Sequence, residues 1–299
     1  MDGLPGLMLY SVLGGVTTGL CVPNIISKFL NSTTFENRGS ACGILIFFVY
    51  VVVFISAAFI ASYVQLALFF LSFKVLALML LTSKSVLSSK KEELAFLYQP
   101  RLVVYLYLFV WFLFLLVDII VSNIASQRFS RAEIEIINLE SVLLGLFTMI
   151  IGGALMDNVG RRKLITLAFL YLGVEYSFIS LSSGELIRYT FIDGVAWGII
   201  TTVFMFVLWG DAIKPGERHL FSAFSMIVAL ASIYFKNALS ILGFRLDFTQ
   251  TFPLTSIFLF LSVIITSFYL PETLPEKVIQ SKELRNYIET AKKIKEKYK

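Results

Sequence analysis

One acid and three consecutive cations, Asp157 and Arg161-Arg162-Lys163, stand on either side of Gly160 in the run from Gly152 to Lys163, GGALMDNVGRRK. These groups are suited to charge pairing rather than to covalent chemistry. A carboxylate at a helix end can pair with Arg161 or Arg162, or sit against the positive N-terminal end of a neighbouring helix such as the one starting near Phe221. A contact of that kind, broken and re-formed, is a latch. A second set of ionisable residues lies inside apolar runs. Asp118 follows Arg101 by 17 residues, which places it in the outer half of a membrane span as a carboxyl able to contact solute or exchange a proton. Lys74 and Glu175 fall close to mid-membrane by residue count, where each needs a partner or a water-filled cavity. Glu140, Asp193 and Lys236 lie near the outer face, where interfacial solvation explains them.

Enzymatic chemistry has little to work with. The chain has one histidine, His219, no DxxD pair and no Gly-rich phosphate loop, so we expect no enzyme, no metal and no organic cofactor. Cys21 and Cys42 lie in or beside apolar runs, which argues against a disulfide framework. The aromatic residues read as lipid-facing filler and interface anchors, Trp197 and Trp209 included.

The elements that position these residues follow from composition. The 299 residues are 58% apolar and 15% charged, with a mean hydropathy of +0.83. That is too oily for a soluble domain, in which charged residues alone run to roughly 25%. The chain therefore reads as an all-α, polytopic membrane protein. A central Arg, Lys or Asp in hydrocarbon costs about 2.5 to 3.5 kcal/mol, so the GRRK run must be a tight loop at a membrane face.

About nine spans are expected. A Gly-rich run from Leu4 to about Phe29 gives the first, and Ala41 to Leu81 is long enough for two, turning near Ser62 to Gln65. Six more follow a polar linker, roughly Leu102 to Ile124, Ile137 to Met156, Leu164 to Leu181, Tyr189 to Trp209, Leu220 to Gly243 and Phe252 to Leu270. The domains are then a partial N-terminal bundle of three helices (1–82), a cytoplasmic linker (83–101), a six-helix bundle (102–270) and a basic tail (271–299) whose later part reads as a surface helix.

With the GRRK loop on the cytoplasmic side, 19 of the 25 Lys and Arg fall inside, which puts the C-terminus in the cytoplasm and the N-terminus outside. The net charge of +5 is explained by this topology, so no nucleic-acid partner is expected. A faint internal repeat also runs through the chain. Glu36 and Arg38 after one glycine-bearing helix match Glu217 and Arg218 after another, with the two arginines 180 residues apart.

The loop Gly153-Ala-Leu-Met-Asp157-Asn-Val-Gly160-Arg161-Arg162-Lys163 resembles the signature loop of the major facilitator superfamily, which joins the second and third helices of a six-helix bundle. Here it joins the second and third helices after the linker. Phe35-Glu36-Asn37-Arg38-Gly39 is similar to the family's loop between helices four and five, and Leu270-Pro271-Glu272-Thr273 to the exit from helix twelve. The resemblance implies family helices four to twelve, with the first three missing through a late start or a degenerate gene. It also implies a secondary transporter of a small polar solute in the plasma membrane, with sugars or organic acids favoured and proton coupling a secondary expectation. Gate roles then fall on Gly153, Asp157, Gly160, Arg161, Arg162 and Lys163, with Glu36, Arg38, Glu217 and Arg218 as loop partners. Two departures bear on the substrate: Asn158 replaces a usual basic residue, and Asp211 stands where the sugar-transporting branch has Glu, while the first half offers Ser27 and Lys28. The rival reading is a non-transporting remnant or partner subunit in the membrane.

Overall fold

The computed structural model describes residues 4–59, 69, 70, 72, 99–182, 191–241 and 247–297, and within them the chain is helical with no strand. Lys74, the turn expected at 62–65 and most of the linker at 83–101 lie outside the described residues. The helices are α1 (Leu4–Ser32), α2 (Arg38–Phe59), α3 (Arg101–Arg128), α4 (Arg131–Val159), α5 (Arg161–Leu181), α6 (Asp193–Ala212), α7 (Arg218–Ile241), α8 (Phe248–Phe268) and α9 (Glu276–Lys297). Six of them, α2 to α6 and α8, contain stretches long and apolar enough to cross a membrane.

Local chemistry sets several of the ends. Ser130 and Glu133 form a reciprocal capping box at the start of α4, and the Asp247 carboxylate accepts from the Gln250 N–H at the start of α8. Between α4 and α5 the connection shrinks to the single residue Gly160, at φ 109° and ψ 152°, a conformation that is essentially glycine-only. Asp157 therefore lies in the last turn of α4, and Arg161 is the first residue of α5. The loop expected over 157–163 is tighter than the sequence suggested.

Glycines bring α4 into backbone contact with helices on both sides. A Cβ on Gly39 or Gly43 of α2 would collide with the Gly153 or Met149 carbonyl of α4, and one on Gly194 or Gly198 of α6 with the Ser141 or Gly145 carbonyl. Such thin faces suit helices packed in lipid, where close approach replaces the hydrophobic effect as the source of attraction. Behind this layer, α5 and α7 pack on α6, the α3 residues Tyr107 and Trp111 reach Phe204 of α6, and α8 packs on α3 and α5.

The core between them is aromatic. Trp111 of α3 stacks on Phe204 of α6 with ring centroids 5.4 Å apart, and its indole N–H donates to the Ser225 carbonyl of α7. Phe204 lies in a π-helical turn, Val203–Val207, that interrupts α6. The wider turn leaves the Phe204 carbonyl to accept from the Trp209 indole at 2.7 Å and from the Ser225 hydroxyl at 2.9 Å. Trp209 is fully buried and spent on this bond, so it is neither a lipid-facing anchor nor an interface residue.

Candidate functional site

The polar connections between helices meet on one face, where they build a buried lattice of charges. Asp157 accepts from the N–H groups of Gly39 and Ser40, each at 2.8 Å, and from the Ser40 hydroxyl at 2.7 Å. It thus neutralises the first N–H donors and positive end of α2 rather than of the helix near Phe221, and it also pairs with Arg161, the other partner the sequence offered. The reason is the glycine contact of Gly39 with Gly153, which holds the start of α2 one turn below Asp157.

Arg161 draws the lattice together. Its guanidinium pairs with Asp157 and with Asp211, both at 3.0 Å, and donates to the carbonyls of Met156 and Phe35. Asp211, at the end of α6, also pairs with Arg38 at the start of α2. Arg38, Arg161, Asp157 and Asp211 are 0 to 5% exposed, so two cations and two carboxylates compensate one another out of water. A third carboxylate, Glu272, accepts from the N–H groups of Arg161 at 2.9 Å and Arg162 at 3.1 Å, and so caps α5 from the segment after α8.

The faint repeat becomes a geometric one here. The Arg38 guanidinium reaches back to the carbonyls of Leu30 and Thr33, and the Arg218 guanidinium to those of Gly210 and Ile213, positions eight and five residues earlier in both cases. Each arginine then crosses to the other repeat: Arg38 Nη1 to Asp211 Oδ1, and Arg218 Nη1 to Asn31 Oδ1 at 2.6 Å. Asn31 and Asp211 stand in the same spacing as the arginines. The first-half counterpart of Asp211 is therefore Asn31, rather than Ser27 or Lys28, and one of the two cross-links carries no carboxylate.

Not every residue singled out by sequence joins the lattice. Lys163 is exposed, Glu36 and Glu217 are exposed on the turns beside it, and the Arg162 side chain reaches the Leu270 carbonyl at 3.4 Å rather than Asp157. Asp211, Glu272 and Asn31 were not among the expected site residues. Asp211 was marked only by its place opposite the Glu of the sugar-transporting branch, and the signal for Asn31 was the repeat itself, which sets Asn31 against Asp211 at the same offset as Arg38 against Arg218.

In the opposite half, about 25 Å along α3 from Arg101 at 1.5 Å per residue, Asp118 lines a cavity of about 480 Å³ between α2, α3, α4 and α6. Asp193, Trp197, Tyr50, Asn138 and Ser141 share its wall. Trp197 lies beside Asp118. Asp193, the first residue of α6, is half-buried and has protein partners as well: it accepts from the Tyr176 hydroxyl at 2.6 Å, and Glu175 lies against it. Among the described residues no donor reaches the two buried Glu175 oxygens or Asp193 Oδ1. Sequence depth placed Glu175 near mid-membrane; helix packing supplies its neighbour.

Cys21 and Cys42 are both buried and neither is in a disulfide, and no group of three or more potential metal ligands occurs among the described residues. No protein-family model matches this chain, and neither does any curated protein sequence.

Proposed function

We propose that this protein is a secondary transporter of the major facilitator type, moving a small polar solute by alternating access between two helix bundles. One observation carries the reading: a buried ion-pair lattice ties α1 and α2 to α4, α6 and α7 at one face, while a cavity lined by α2, α3, α4 and α6 lies in the other half. A seal at one end and a polar cavity toward the other is the arrangement an alternating-access carrier takes when closed on the sealed side. With the cationic loops in the cytoplasm, that side is the inner face of the plasma membrane.

Of the two solute classes the sequence favoured, the cavity suits a sugar better than an organic acid. Its wall carries Asp118 and Asp193 but, among the described residues, no Lys or Arg, so a carboxylate solute would meet like charge with no counter-ion. Trp197 and Tyr50 offer flat faces, and Asn138 and Ser141 offer hydroxyl-binding amide and hydroxyl groups.

The test is uptake of labelled sugars, polyols and organic acids into proteoliposomes, with and without an inward proton gradient. Asp118→Asn is expected to cut uptake sharply and to remove its dependence on pH. A folded chain that transports none of the panel would favour the rival, a non-transporting membrane subunit, and unchanged coupled uptake would remove Asp118 from the mechanism.

A further inference from the structure

The tail helix α9 presents an apolar face that no described part of the protein covers. Leu284, Tyr287, Ile288 and Ile294 are all exposed, by 61, 74, 45 and 54%. At 100° per residue these four and Ala291 fall within an arc of about 120°, the width of a single buried stripe. Arg285 and Lys292 are exposed along one border of that stripe, and Lys295 lies just inside it. Over the whole of α9 the sequence has seven Lys or Arg against four Glu.

The position of the helix is fixed at its start. Glu272 is bonded to the first N–H groups of α5 and to the Leu274 N–H at 3.0 Å, and Leu270, Thr273 and Leu274 are buried beside it. This segment joins the end of the α8 span directly to α9, which also touches α4. The helix therefore begins level with the charge lattice, at the membrane face. At that face the apolar surface of the spans continues outward through Phe268 and Tyr269 of the α8 exit and Leu155 and Val159 of α4, all exposed.

We propose that α9 docks on the anionic lipid surface at the lattice face, with Leu284, Tyr287, Ile288 and Ile294 inserted below the headgroups and Arg285, Lys292 and Lys295 set against lipid phosphates. The cationic border matches a negative leaflet. Long Lys and Arg side chains at the edge of an inserted stripe keep their charges among headgroups while their stems lie along the acyl boundary. The assignment rests on the membrane-spanning helices and is independent of the transport reading.

The test uses the full chain with Tyr287→Trp, reconstituted in phosphatidylcholine vesicles with and without phosphatidylglycerol, some carrying brominated acyl chains. The emission added by the introduced indole, taken as the difference from the unsubstituted protein, is expected to be largely lost to brominated lipid. The loss should be greater in the anionic vesicles, and the combined Arg285→Gln, Lys292→Gln and Lys295→Gln changes should abolish that difference. Emission untouched by brominated lipid overturns the proposal, whether iodide quenches it from water or a protein surface shields it from both. Equal quenching in both lipid mixtures overturns the assignment to anionic headgroups.

Discussion

Asp211 holds two arginines at once, and no other residue of the lattice can replace it. Its oxygens pair with Arg38 on one side and Arg161 on the other, with all three side chains out of water. Asp211→Asn would leave a buried positive charge in excess, and removal of one partner from such a pair costs about 3 to 5 kcal/mol. The expected result is a clear fall in the unfolding midpoint of the solubilised protein, and an unchanged midpoint would mean the pairs are not formed in solution. Asn31→Asp is the converse experiment. It would put a carboxylate in the cross-link where Arg218 now donates to an amide oxygen, and charged hydrogen bonds are roughly twice as strong as neutral ones. The midpoint should rise, and if the protein is the proposed transporter, solute uptake should slow as the lattice becomes harder to open. Sequence made part of this visible. Asp157, Arg161, Arg38 and Arg218 are legible as charges in short polar loops between apolar runs, whereas Glu272 acts through backbone N–H groups more than a hundred residues away, which no spacing rule reaches. The partners of Asp193 were missed for a different reason: residue count gives depth along a span but not the direction in which the side chain points.

At the scale of elements, apolar run length located the six helices, of about nine expected, that are long and apolar enough to cross a membrane, because hydrocarbon thickness leaves little freedom in helix length. It was not enough to find the π-helical turn in α6, which is set by the competing donors of Trp209 and Ser225. Nor did it show how sharply α4 turns into α5. Gly160 makes that turn alone, and its geometry is doubly restricted: an L side chain is strained at φ 109°, and a Cβ would sit 2.6 Å from the Glu272 carboxylate that caps α5. Gly160→Ala should therefore cost about 1 to 3 kcal/mol from backbone strain. It should also displace Glu272 from the Arg161 and Arg162 N–H groups. Hydrogen exchange at those two amides gives a direct reading, since loss of the cap should speed exchange there before it affects the middle of α5. Exchange that is unaltered at both amides would show that Glu272 moves with the new methyl group and that the cap survives.

For the whole molecule the question is whether the lattice opens. A solute leaving the cavity through the lattice face must pass where Arg38, Asp211, Arg161 and Asp157 join α2 to α4 and α6, so these contacts have to separate together. Cys42 reports on that event without any engineered label. It is fully buried in α2, one turn beyond Arg38, and is shielded in the closed form. Asp157→Asn keeps the shape of the side chain but removes the charge that holds the first N–H groups of α2, weakening hydrogen bonds to a charged group worth about 1.5 to 3 kcal/mol. If the lattice is a gate, the open form becomes about tenfold or more populated, since 1.4 kcal/mol is a factor of ten. Alkylation of Cys42 by maleimide, read from its peptide by mass spectrometry, should accelerate by the same factor. A transported solute that favours the closed form should slow it again. Should Cys42 react at an unchanged rate while the variant remains folded, the four charges would be a fixed tether between helices, and transport would have to pass by a route that leaves them joined.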